Sequence, residues 1–109
     1  MKKAETRPEA KDLVFTNHRV LASVNQLIAV CGEPSHRGKV EEEVQFGWDM
    51  QTEEGDFFAV FDWKENREFP EDEILIWNIA SQNAYASAIG QEEVLEALDK
   101  HAANSQPAE

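Results

Sequence analysis

Between positions 44 and 80 the chain first alternates and then fills in. Val44, Phe46, Trp48 and Met50 take every second place, with Gln45, Gly47, Asp49 and Gln51 between them. That is the period of a strand with one buried side. "TEEGD", 52–56, is a turn, and the "FFAVFDW" that follows is apolar on both sides. Phe57, Ala59, Phe61 and Trp63 share one side, Phe58 and Val60 the other, as in an interior strand. Pairing Met50 with Phe57 sets Trp48 against Ala59, Phe46 against Phe61 and Val44 against Trp63, which makes that side the core. The charged connection "KENREFPEDE" leads to a third strand, "ILIWNIA", 74–80, again apolar on both sides. Phe58, Val60 and one side of 74–80 are left for two short helices to cover. Any uncovered remainder predicts a symmetric homodimer, a partner surface or a ligand pocket.

Helical spacing brackets this meander. Val24, Leu27, Ile28 and Cys31 form an apolar stripe behind Ser23 and Gln26, which fit a capping box. Gly32 suits the left-handed position after the helix, and Pro34 forbids its continuation. "IGQEEVLEALDKH" predicts a second helix with Gly90 as N-cap and Ile89 stapled onto Val94. Val94, Leu95 and Leu98 are its buried side, and Glu96 pairs with Lys100. The expected fold is α+β: a short helix, a three-stranded antiparallel meander, a fourth N-terminal strand at 13–15, and a C-terminal helix. Residues 1–11 read as a flexible arm, 12–102 as one domain and 103–109 as a disordered tail.

At 109 residues there is room for one core. The single cysteine, Cys31, excludes an intrachain disulfide and falls at a buried helical position. No apolar run approaches the ~20 residues of a membrane span. The basic N-terminus has no apolar segment after it, so a cytoplasmic protein without a signal peptide is expected.

Charge changes the picture more. The net charge is −12, and residues 41–73 hold thirteen acids against Lys64 and Arg67 alone. Such a field favours basic partners and repels nucleic acid. Only Arg37 and Lys39 cluster, so direct nucleic-acid binding is not expected.

Catalytic signatures are missing: there is no P-loop, GxGxxG, GxSxG or HExxH pattern. His18, His36 and His101 stand apart without ligand spacing, so no metal or cofactor is expected. The "EEE" at 41–43 and "EDE" at 71–73 read as solvated runs rather than acid–base pairs. The protein is therefore read as no enzyme.

Two noncatalytic readings follow. In the first, the acidic middle occupies a basic groove on a nucleic-acid-processing protein, its carboxylates standing in for the phosphates of a duplex. The partner-binding residues would be Glu41, Glu42, Glu43, Asp49, Glu53, Glu54, Asp56, Glu68, Glu71, Asp72 and Glu73. In the second, the exceptions act. His36, Arg37, Lys39, Lys64 and Arg67 supply cations, Trp63 and Trp77 supply planes, and Asn78 lines the wall of a pocket that holds a small nucleotide or similar anion.

The run "VQFGWDMQTEEGDFFAVFDWKENR" with its later "WNI" resembles small proteins of bacteriophages and prophages. In these a W…G…DWK hairpin precedes a W-x-I strand and a C-terminal helix. "LIAVCGEP" is similar to the helix exit of the same proteins, so the likeness spans residues 23–101. Trp48, Gly55, Asp62, Trp63, Lys64, Trp77 and Ile79 match, while Ala80 and Ser81 stand where that pattern carries two glycines. The resemblance implies a phage-type protein acting in the host cytoplasm against a defence system such as CRISPR or restriction. On that footing the acidic surface belongs to an inhibitor of a host protein with a basic surface, and the nucleotide pocket to a sponge that sequesters a nucleotide signal.

Overall fold

The computed structural model describes Met1–Ser105. Six strands form one antiparallel sheet: β1 (Lys2–Lys3), β2 (Val14–Ala22), β3 (His36–Arg37), β4 (Phe46–Gln51), β5 (Phe57–Phe61) and β6 (Leu75–Ser81). Their order is β1-β4-β5-β6-β2, with β3 also on the outer side of β4. Helices α1 (Val24–Cys31) and α2 (Ala84–Ser105) complete the α+β fold, and a 3-10 turn covers Ala10–Asp12. The expected meander is β4-β5-β6. The fourth strand is β2, longer than the expected 13–15 and paired to β6 from Val14↔Ser81 to Ala22↔Leu75.

α1 forms as its sequence dictates. Ser23 Oγ accepts from Gln26 N at 3.1 Å, and Gln26 Oε1 accepts from Ser23 N at 2.8 Å, closing the capping box. Gly32 follows at φ 85°, a backbone that L side chains rarely adopt.

The hairpin register differs from the expected one by a single residue. Gln51, not Met50, pairs with Phe57, so Trp48 faces Val60 and Met50 faces Phe58. The turn explains the slip. Thr52 N donates to Asp56 O at 2.8 Å across a five-residue loop in which Gly55 takes φ 99°. One step of register exchanges the faces of every side chain. The core side of the hairpin is therefore Trp48, Met50, Phe58 and Val60, joined by Trp77, Ile79, Val20, Leu27 and Val94 beneath the two helices. Trp48 and Trp77 meet edge to face at 5.4 Å. Each buried indole N–H finds a carbonyl: Trp48 Nε1 donates to Gly32 O at 2.8 Å and Trp77 Nε1 to Ala22 O at 2.7 Å.

α2 begins six residues before Gly90. Asn83 supplies the cap, its Oδ1 accepting from Ala86 N at 2.8 Å. Gly90 sits mid-helix against Phe58 rather than at the N-cap, and Leu95 is exposed while Val94 is buried. Glu96 and Lys100 pair at 3.2 Å as expected. The helix carries residues 103–105, which were expected in the tail from composition; residues 106–109 of that tail lie outside the described residues. Gln91 Nε2 donates to Arg19 O at 2.8 Å, so α2 also covers part of the exposed edge of β2.

The first eleven residues do not stand free of the domain. Lys2 and Lys3 pair with Gln51 and Met50, Ala4 N donates to Asp49 O at 3.0 Å, and Arg7 bonds Asp49. This segment crosses the second face of the sheet, where Phe57, Ala59, Phe61 and Ala80 form a smaller apolar cluster with Ala4, Leu13 and Val44. The partly uncovered face is thus this one, and not the Phe58–Val60 side.

Candidate functional site: the second face of the sheet and its acidic end

The acidic residues divide between the two ends of the β4–β5 hairpin. Glu53, Glu54 and Asp56 belong to the turn 52–56, beside the start of α2; Glu54 accepts from the Tyr85 hydroxyl at 3.1 Å. Glu41, Glu42 and Glu43 precede β4, and Glu68, Glu71, Asp72 and Glu73 lie in the loop after β5, so these seven share the opposite end. Five paired residues separate the two groups, about 17 Å of strand. Asp49 lies between them on the second face, 3.1 Å from Arg7. The single continuous surface expected from sequence is therefore two clusters and one isolated carboxylate. Chain topology decides this, because a hairpin sends its turn and its open end in opposite directions.

Cations thread the larger cluster. Arg67 binds Glu73 through both amino groups, the second contact at 3.3 Å, and stands 3.8 Å from Glu65. That hydrogen bond holds the Glu73 carboxyl below, and the Arg67 guanidinium above, its ordinary range. Arg37 meets Glu33 at 3.1 Å and Glu71 at 3.9 Å, and lies over the Phe46 ring. His36 donates from Nε2 to Val44 O at 3.1 Å and lies 3.5 Å from Glu42. Glu41, Glu43, Glu68, Asp72 and Lys39 are exposed.

The cations and aromatics expected to hold a nucleotide are not brought together. Trp77 is fully buried in the other layer, held by Ala22 O. Arg67 is committed to carboxylates and to the Phe69 ring. Asn78 is half-buried on β6, paired with Phe61 and Arg19. Only Trp63, with Lys64 Nζ 5.2 Å from its ring, and His36 border a cavity.

That cavity holds about 360 Å³ on the second face. Its floor is Gly47, Ala59 and Ala80, its aromatic side Phe15, Phe61 and Trp63, and the N-terminal segment roofs it with Arg7 and Leu13. Phe15 is 66% and Trp63 43% exposed, against 9% for Phe61. No motif marks Phe15, Arg7 or the two alanines as site residues. The available signal was Ala59, a small residue between two phenylalanines on one side of a strand.

Four residues of the W…G…DWK and W-x-I pattern, Trp48, Gly55, Asp62 and Trp77, have structural work, whereas Trp63 borders the cavity. Asp62 is buried, and its Oδ1 accepts from Gln45 N at 2.9 Å and Phe46 N at 2.8 Å, pinning the start of β4. Its Oδ2 has no partner, and burial raises its pKa although the two backbone bonds pull the other way. Gly55 makes the turn, and Trp48 and Trp77 make the core.

Comparison with protein-family models, curated proteins and solved structures finds no match. Among the described residues no helix is long and apolar enough to cross a membrane, and no group of three or more His, Cys, Asp or Glu could hold a metal ion.

Proposed function

We propose that the protein is a non-enzymatic, phage-type inhibitor that binds a host defence protein, such as a CRISPR or restriction component, and blocks its basic surface. The observation that carries this reading is the gathering of Glu41, Glu42, Glu43, Glu68, Glu71 and Asp72 at one end of the sheet, all six exposed. Arg37 and Arg67 offset two of the charges at this end, and the carboxylates in excess leave it negative. With a net charge of −12 behind it, this end would draw a cationic groove into fast, salt-sensitive association. The assignment of the target to host defence rests on the resemblance of the W…G…DWK pattern, and the host cytoplasm would then be the site of action.

The test is plating efficiency of a sensitive phage on hosts carrying a CRISPR or restriction system, with and without the protein. Expression should raise plating. Changing Glu41, Glu42 and Glu43 together to Gln should reduce the effect at least tenfold, and the captured partner should be released as salt rises. Plating unchanged in every host, or protection untouched by the triple change, would sink the reading.

A further inference from the structure

One row across the sheet runs Asp49, Ala59, Ala80, Phe15, each paired to the next. On the second face this row is a trough: a carboxylate at one end, two methyl groups for a floor, an aromatic ring at the other end. The ring is not alone. Phe15, Phe61 and Trp63 lie within 5.7–6.3 Å of one another at interplanar angles of 53–82°, presenting edges and faces at one corner. Aromatic faces carry negative potential and attract cations, as Lys64 over Trp63 already does.

We propose that this trough is a binding site for a small organic cation, a protonated amine on a planar aromatic body. The ring would lie over Ala59 and Ala80 against the aromatic corner, with the ammonium at Asp49. The dimensions suit such a molecule. Adjacent strands stand ~4.8 Å apart, so the backbones of Asp49 and Phe15 are separated by about 14 Å. A ring with a two-carbon amine arm bridges that gap once the side chains at each end reach inward. The volume of about 360 Å³ is at the small end for ligand sites.

Charge decides between an amine and an acid. Arg7 stands at the same end, but its Nη1 is shared between both Asp49 oxygens at 3.1 and 3.5 Å. A carboxylate accepts about four hydrogen bonds, so Asp49 keeps capacity for an ammonium. His36, the third polar group at the cavity, turns Nε2 to Val44 O. A chain of net charge −12 concentrates cations and repels anions. The site adjoins the acidic end at His36 and Trp63, but its chemistry does not depend on the inhibitor reading.

Trp63 reports on the site, because Trp48 and Trp77 are fully buried. The full chain is titrated with phenethylamine, 2-phenylethanol, phenylacetate and AMP while tryptophan emission is followed. Saturable binding of the amine is expected, at least tenfold tighter than the alcohol, with the two anions weaker still. Ala59→Leu, which fills the floor, should remove the response. Asp49→Asn leaves Arg7 unpaired and should reverse the preference toward phenylacetate in a chain that still folds. Equal binding of amine and acid, saturation by AMP, or no saturable response to the amine would overturn the proposal. So would an Asp49→Asn protein that keeps the preference for the amine.

Discussion

Gly90 lies against the face of Phe58: a Cβ built on it would come within 2.6 Å of the ring. The helix can approach the sheet there only because position 90 has no side chain. Gly90→Ala therefore sets two effects against each other. Alanine gains up to about 1 kcal/mol of helix propensity. Pushing a buried ring or the helix aside costs about 1–3 kcal/mol, because the core is already filled. A net loss of up to about 2 kcal/mol is expected in urea unfolding, the reverse of the outcome at an exposed helical glycine.

Asp62 makes a prediction about pH. Its folded-state pKa is raised by burial, so its protonated form is the one the fold prefers. Its contribution is then largest below the ordinary carboxylate range and declines as pH rises through the raised value. Asp62→Asn keeps an oxygen for the amides of Gln45 and Phe46 but cannot ionise. Unfolding of both proteins across a pH series should show stability shifting toward the Asn variant as pH rises through this window, and a constant difference above it. Asp62→Ala should cost about 3 kcal/mol at low pH, since two backbone donors lose their acceptor, and less as pH rises through the same window.

Cys31 should be inert. Burial pushes its thiol up to about 12, so almost no thiolate exists at neutral pH. A colourimetric thiol reagent should label native protein slowly and protein in denaturant at once. Rapid labelling of the native chain would mean that α1 opens readily.

The segment across the second face should be part of the folded unit. Removing residues 1–11 strips β1 and the Arg7–Asp49 pair from β4 and uncovers Phe57 and Phe61. The shortened chain should bind a hydrophobic dye strongly and unfold at lower temperature. Arg7→Ala alone should lower stability by less than 1 kcal/mol, as expected of a half-exposed ion pair.

Much of the fold is legible before any coordinates. Alternation from Val44 to Met50, the apolar runs of β5 and β6, and the Ser23–Gln26 box each rest on interactions within a few residues, so local spacing reveals them. The candidate trough is not legible in the same way. It needs Asp49, Ala59, Ala80 and Phe15 side by side, and no periodicity links position 15 to position 80.

What this sequence determines alone is the three central strands, the capped helix α1, the presence of a C-terminal helix and the strong acidity of the chain, because these depend on neighbours in the chain and on summed charge. β1 and β3 arise only from pairing between distant segments. Tertiary structure alone decided which side of the hairpin is core, through one residue of register set at a five-residue turn. It also laid the N-terminal residues over the second face and sent the acidic clusters to opposite ends. Both outcomes come from pairings between distant segments, whose energy is gained only once the sheet has closed.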